Sequence, residues 1–478
     1  MTTSPIGSER PEAADQPRSR LALVKDGRYR RIVTAVVSGG AARVLSSLLT
    51  LISLPLAVRY LGAERYGIWA TVASVAVWFN LLDLGIANSL TNLISQAYAR
   101  QDRTEAAQAF SNALAVTIGA VGLAACILGF WLPHVNWIAV FNASPSLQPE
   151  VRTTILIAAI LMLVGLPLNL AGKLFAGYQE LNTYNKTLAV GAVGSVVGLV
   201  AGIWLHVPMP TLFLLSFGSI TLVAMATLLW LVLWHKPWLR PRFKLVSLRG
   251  TLDLLSTGWS FLLIQAAALV VFSTDNIIVS HYLGAAEVTP YSVTWRVVGL
   301  GAVLQALAFP ALWPAYAEAN ARGDVAWIRK TFAIVMRATI ALNVVWAVFL
   351  LGFGRFGIRL WAGPAAVPPY SLLFWMALWS VIAGFCTAQS CLLGALNYTR
   401  VQAVASALAA IVNLALSIVL VVRIGSVGVI LGTVISYVVV LVVPQSFAVV
   451  GALRKLGREG GVPGTGAEYA SIDIQPMV

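Results

Sequence analysis

The chain has 478 residues, 59% of them hydrophobic and only 10% charged, with a mean hydropathy of +0.84. A soluble domain carries about 25% charged residues, so a single water-exposed globule is excluded and most apolar residues must face lipid or one another. The net charge of +14 therefore has to be judged by where it falls along the chain.

Residues 1–31 are polar and basic, with Arg10, Arg18, Arg20, Lys25, Arg28, Arg30 and Arg31 diluted by Glu9, Glu12, Asp15 and Asp26. The apolar run that follows is too long for a cleaved signal and no small-residue cleavage site precedes a soluble domain, so this segment reads as a retained cytoplasmic tail. A membrane-crossing helix needs about 20 mostly apolar residues. Twelve such stretches follow: 32–58, 66–94, 108–133, 153–176, 187–206, 211–234, 254–280, 288–314, 331–353, 369–393, 401–422 and 427–451. Alternation with period two is absent, which rules against a β-barrel. The expected fold is an all-α integral membrane protein of about twelve transmembrane helices.

Lys and Arg in the connections set the orientation. With the N-terminal tail inside, 23 of them lie on the cytoplasmic side and six on the outer side: Arg59, Arg65, Arg152, Arg355, Arg359 and Arg423. Both termini are then cytoplasmic in a multi-pass protein of the cell membrane. The positive charge is a topology signal, and no nucleic-acid partner is implied.

The halves echo each other. Tyr60-Leu61-Gly62-Ala63 recurs as Tyr282-Leu283-Gly284-Ala285, Ala97-Tyr98-Ala99 as Ala315-Tyr316-Ala317, and Leu181-Asn182 more weakly as Leu396-Asn397. An even number of helices separates the copies, so both halves run the same way, and two parallel six-helix lobes with a central cavity are expected. The organisation is then a tail (1–31), a first lobe (32–234), a cytoplasmic linker (235–252), a second lobe (253–451) and a cytoplasmic tail (452–478).

Enzyme motifs are missing: there is no nucleotide-binding Gly-rich loop, no His-Glu-x-x-His and no Gly-x-Ser-x-Gly. No metal or cofactor is expected. Cys126, Cys386 and Cys391 read as buried thiols, and Pro55, Pro167, Pro310 and Pro314 as static kinks. The informative residues are ionisable groups within the spans, each costing roughly 2.5–3.5 kcal/mol to insert. They are Arg43, Asp83, Asp275 and Arg296, with Arg337 near a helix end. At the repeat spacing of 222 residues Arg43 corresponds to Gln265, so the first and seventh helices both offer a long polar side chain to a cavity. Arg43, Gln265 and Arg296 are candidates for substrate binding, and Asp83 and Asp275 for coupling or lining the cavity. The alternative is structural, with Arg43–Asp83 and Asp275–Arg296 pairing between neighbouring helices.

The strings Tyr60-Leu61-Gly62-Ala63-Glu64-Arg65-Tyr66-Gly67-Ile68-Trp69, Leu82-Asp83-Leu84-Gly85-Ile86 and Thr274-Asp275-Asn276-Ile277-Ile278 resemble the polysaccharide-export, O-antigen-flippase-like members of the multidrug/oligosaccharidyl-lipid/polysaccharide flippase superfamily. The resemblance covers most of residues 32–451. It implies a V-shaped pair of bundles with a basic cavity. It also implies transfer of a polyprenyl-pyrophosphate-linked oligosaccharide from the inner to the outer leaflet, with membrane lipids, a polysaccharide polymerase and a chain-length regulator as partners. The main alternative is a cation-coupled multidrug or metabolite antiporter of the same superfamily, using Asp83 or Asp275. A lipid II flippase usually has two further helices, which are not found here. A membrane glycosyltransferase needs a large catalytic loop, and the longest outer loop, about 134–152, is too short for one.

Overall fold

The computed structural model describes residues 27–83, 86–247, 250–251, 266, 269–270, 273–396 and 398–459; within the helices, the side chains of 27–39, 41–44, 46–47 and several later positions, Asp83 among them, lie outside the described set. The described residues are almost wholly helical, with no strand among them. That is the backbone solution a bilayer demands, because only local N–H to C=O bonding satisfies every peptide group in hydrocarbon.

A long helical stretch, Gly27–Trp78, breaks at Gly62 (φ 73°), giving α1 (27–61) and α2 (63–78). A 3-10 turn at Phe79–Asp83 leads to α3 (Ile86–Arg100), followed by α4 (Arg103–Trp131), the short α5 (Trp137–Phe141), α6 (Gln148–Gly177), α7 (Leu181–Trp204) and α8 (Met209–Trp230). The second half contributes α9 (Asp275–Leu283), α10 (Ala285–Gly299), a 3-10 turn Leu300–Ala302, α11 (Val303–Ala321), α12 (Val325–Phe349), α13 (Arg355–Ala362), α14 (Tyr370–Ala395), α15 (Thr399–Ile424), α16 (Ser426–Ser436) and α17 (Val443–Glu459). Among the described residues eight helical stretches are long and apolar enough to cross a membrane. Many of their large apolar side chains are outward and bare, such as Leu123, Phe130, Trp204 and Phe447. Bare apolar surface on this scale fits lipid, not water. Cys126 is also exposed, against the sequence expectation, whereas Cys386 and Cys391 are buried.

The repeat is written in the turns. Left-handed backbone occurs at Gly62, Gln101, Asn142, Gln179 and His206 in the first half and at Gly284, Gly323, Gly363 and Gly425 in the second. Apart from Gln179, whose counterpart at 397 lies outside the described residues, the order matches. The Tyr-Leu-Gly-Ala echoes therefore mark equivalent corners, where a Cβ-free residue enters the positive-φ region at no steric cost. The Ala-Tyr-Ala echo does not mark an equivalence. Asp102 N bonds to Ala97 O, and Asp324 N bonds to Ala319 O, both at 2.9 Å. Ala97 thus corresponds to Ala319, one helical turn beyond Ala315. Asp102 and Asp324 each cap the next helix, accepting from Thr104 N and Glu105 N and from Trp327 N respectively. Likewise Glu180 N to Phe175 O and Tyr398 N to Leu393 O are equivalent closing bonds, so Leu181-Asn182 and Leu396-Asn397 are also out of register. The breaks at Phe79–Asp83 and Leu300–Ala302 fall at the same place in the two halves.

Packing shows how the halves meet. At the end carrying Gly62 and Gly284 both halves share one buried cluster, with Tyr66, Ile68 and Trp69 packed with Val288, Tyr291 and Trp379. At the other end each half keeps its own core: Phe110, Leu174 and Leu239 in the first, Tyr316, Ile328 and Leu392 in the second. Two bundles joined at one end and separate at the other form a V. Its closed end is tied by Thr289 Oγ1 donating to Ala63 O (2.6 Å), Arg59 Nη2 to Leu360 O (2.6 Å), Trp361 Nε1 to Leu51 O (2.8 Å) and Ser280 Oγ to Phe141 O (3.0 Å).

Beyond α8 the chain folds back on the first half at the open end. Ser247 N bonds to Asn112 Oδ1 (2.9 Å), the Arg103 guanidinium lies 4.5 Å over the Trp238 ring, and Lys236 Nζ lies 4.2 Å over Tyr178. Lys236 and His235 both meet the carboxylate of Glu180, at 2.8 and 2.9 Å.

Candidate functional site

At the apex of the V a cavity of about 410 Å³ lies between the lobes. The first lobe supplies Ala70, Ala73, Ser74 and Val77 from α2, and the second supplies Ser273 and Asn276 near the start of α9 and Ser292, Trp295, Arg296 and Gly299 from α10. Ser74 and Arg296 are repeat counterparts, 222 residues apart, and both line it. Asn276 Nδ2 donates to Ser74 Oγ (2.8 Å), and Thr71 Oγ1 reaches Asn276 O at 3.4 Å, joining the lobes across the cavity floor.

Arg296 is the one charged side chain among the described lining residues. It is exposed to the cavity and interacts with the hydroxyl of Tyr66, a residue of the opposite lobe that is itself 3% exposed. Helix spacing explains its neighbours. On α10, Ser292 and Arg296 are four residues apart and share a face, while Trp295, one step round, turns toward the second lobe. A guanidinium presents a planar fork of donors suited to phosphate oxygens, and the hydroxyls and amide around it offer further neutral contacts.

Asp275 stands elsewhere. It is 4% exposed and absent from the cavity lining, although its neighbour Asn276 is part of it. Its Oδ2 accepts from Tyr291 Oη at 2.6 Å, and its Oδ1 has no hydrogen-bond partner among the described residues. The ion pairs among the described residues are Arg65–Glu150, Arg100–Glu105, His235–Glu180, Lys236–Glu180 and Arg322–Glu318. Asp275 and Arg296 therefore do not pair; the first is turned into the second lobe and the second into the space between lobes. Gln265 lies outside the described residues. The backbone of Arg43 belongs to α1 and that of Asp83 ends the 3-10 turn after α2, but both side chains lie outside the described set. Ser74, Ser292 and Asn276 were not singled out in the sequence, because small polar residues in apolar helices also pack silently against carbonyls. Asn276 sits inside the Thr274–Ile278 string, which was the available signal.

The profile of the family described as "Polysaccharide biosynthesis protein" matches residues 34–320, more than half of the chain. The chain belongs to that family. Two of its relatives are the Salmonella typhi protein named "Putative O-antigen transporter", 25% identical over 68% of this chain and 72% of that one, and the Yersinia pseudotuberculosis protein named "Putative O-antigen export protein", 23% identical over 61% and 66%. In fold, this family member resembles the inward-facing conformation of a multidrug resistance MATE family transporter of the MOP superfamily: TM-score 0.74, 14% identity, 86% of this chain and 96% of that one. The outward-facing conformation of a MATE transporter superposes less well, at TM-score 0.62 with 14% identity over 90% and 96%. The chain is a multi-pass membrane protein with the fold of a transporter.

Proposed function

We propose that the protein moves a polyprenyl-pyrophosphate-linked oligosaccharide from the inner to the outer leaflet of the cell membrane, by alternating access, for polysaccharide export. The observation that carries this reading is the cavity at the apex of the V, with the guanidinium of Arg296 on its wall. A sugar-pyrophosphate head group cannot cross hydrocarbon alone, because its polar groups would lose their partners. A cavity open toward one side receives the head group, and rocking of the lobes about the shared core at the Gly62/Gly284 end would present it to the other. With an inside-negative potential, outward movement of a −2 head group is favoured by roughly 4–5 kcal/mol per 100 mV, so no nucleotide is required. The relatives named for O-antigen transport and export support the cargo class. In this proposal both termini and the 235–252 segment are cytoplasmic, as the distribution of Lys and Arg suggests, and the open end of the V faces the cytoplasm.

The test is a deletion strain. Loss of a surface or secreted polysaccharide, with its lipid-linked precursor accumulating inside, is the expected outcome. Unchanged polysaccharide with new sensitivity to cationic drugs identifies a multidrug antiporter instead. Reporter fusions near Arg240 and at Gly461 should behave as cytoplasmic and one near Ser146 as external; an external result near Arg240 overturns the orientation.

A further inference from the structure

A second cavity, of about 360 Å³, lies wholly within the second lobe and touches the first one: Trp295 and Gly299 line both. We propose that this pocket holds a neutral sugar ring of the cargo while Arg296 holds the pyrophosphate, an assignment that rests on the flippase reading above.

The lining is the argument. Among the described residues no acidic or basic side chain lines this pocket, in contrast to its neighbour. One wall is aromatic. Trp295 and Trp379 stack at 6.2 Å and 16° between planes, and Tyr437 stands edge-on to Trp379 at 4.4 Å and 90°. The other walls mix apolar residues such as Val298, Ala383 and Leu441 with amides and hydroxyls. Ser380 Oγ and Thr387 Oγ1 spend their protons on their own helix, donating to Ala377 O and Ala383 O at 2.7 Å each, which leaves oxygen lone pairs toward the pocket. Asn343 Nδ2 likewise donates to Thr339 O (2.8 Å). Acceptors are thus plentiful, Asn343 keeps a second amide proton, and the donor with no partner at all among the described residues is Gln305. It is 7% exposed, it lines the pocket, and its Nε2 has no hydrogen-bond partner among the described residues. Gln305 holds the place in the second half that Asp83 holds in the first, 222 residues earlier, just past the helix break.

An unpaired buried amide is left without the partner it had in water, so the occupant must supply an acceptor, and hydrocarbon supplies none. An organic cation would suit the aromatic rings, but no carboxylate is among the described lining residues, and Asp275 is committed to Tyr291. A pyranose meets all three demands: C–H faces for the rings, hydroxyl protons for Ser380 and Thr387, and hydroxyl oxygen for Gln305. The volume falls within the ordinary range for small-molecule sites.

The experiment uses the full chain in lipid nanodiscs and saturation-transfer NMR with a panel of neutral methyl glycosides, with tetraphenylphosphonium as the cationic probe. At least one glycoside should give a signal that falls to background in Gln305→Leu and Trp379→Leu, and persists in Trp379→Phe and in a handling control, Gly119→Ala. Size-exclusion profiles report folding, and if Trp379→Leu does not accumulate, Gln305→Leu against Trp379→Phe carries the comparison. Three results overturn the assignment: no glycoside signal with the unaltered protein, as for a pocket that holds water only; a signal indifferent to Gln305→Leu; or a Gln305-dependent signal from tetraphenylphosphonium alone. Complementation separates this from the flippase reading. Polysaccharide retained on deletion sinks that reading, whereas polysaccharide lost on deletion but fully restored by both variants sinks only the sugar pocket.

Discussion

A Cβ placed on Gly67 of α2 would stand 1.6 Å from the carbonyl oxygen of Ala285, at the start of α10. The two lobes therefore touch backbone to backbone at the closed end, and glycine is required there by the approach of the opposite lobe, not by its own torsion angles. The neighbouring bond from Thr289 Oγ1 to Ala63 O depends on the same closeness.

Gly67→Ala should prop this end open. No flexible side chain is available to yield, so the lobes themselves must separate. Spin labels at His206 and Glu287, exposed positions on opposite lobes near the closed end, should report a longer distance than in the unaltered protein, and export should fall while membrane abundance holds. Gly119→Ala, where nothing lies within 4 Å, should leave both unchanged. An unaltered distance in Gly67→Ala would count against the packed closed end.

Arg296→Ala should abolish export at normal abundance, and Arg296→Lys should restore only part, since a point charge keeps attraction without the planar donor set. Asp275 bonds to Tyr291 and not to Arg296, so Arg296→Ala with Asp275→Ala should not recover export. Arg43 is tested in parallel. If it is a ligand, Arg43→Ala also abolishes export and Arg43→Ala with Asp83→Ala stays inactive; recovery in that double variant identifies an internal ion pair instead.

Tyr291→Phe removes the one hydrogen bond that Asp275 receives from a described residue, leaving both carboxylate oxygens buried without a partner. A loss of about 1–3 kcal/mol is expected, read as a lower Tm in detergent. Replacing both groups, with Asp275→Leu beside Tyr291→Phe, should bring the Tm back toward the starting value, because neither polar group then remains to be desolvated. A Tyr291→Phe protein as stable as the original would remove this bond from the account.

Glu180 gives a pH dependence at the open end. Burial raises its carboxyl pKa, but hydrogen bonds from Lys236 and His235 outweigh that and hold it below the ordinary value. A group whose pKa is lower folded than unfolded stabilises the fold above its unfolded pKa, near 4.3, and loses that contribution as pH falls through the folded value. The Tm should therefore drop on acidification below about pH 4, and Glu180→Gln should flatten that part of the profile while lowering the Tm at neutral pH. Because Glu180 is half-exposed, the effect should be modest and reduced by salt.

The sequence by itself determined the class of this protein: its hydropathy demands a bilayer, and its Tyr-Leu-Gly-Ala echoes mark true corners of a repeated bundle, because positive φ combined with extended ψ, as at Gly62 (73°, 176°) and Gly284 (98°, 157°), is open essentially to glycine alone. It did not determine the rest of the repeat. The equivalent of Gly323 is Gln101 and that of Gly363 is Asn142, so the positive φ is kept where the residue is not, although ψ differs at the second pair, 55° at Asn142 and 171° at Gly363. The Ala-Tyr-Ala match misled by one turn. Nor does a string of residues say which way a charge faces. Asp275 and Asn276 are adjacent, yet one is buried against Tyr291 and the other lines the space between lobes, because successive residues on a helix point about 100° apart. Which face meets a partner helix and which meets the cavity is decided by how two distant halves pack. Tertiary structure alone brought Ser74, Asn276 and Arg296 to one cavity, and set Gln305 without a partner beside Trp295 and Trp379.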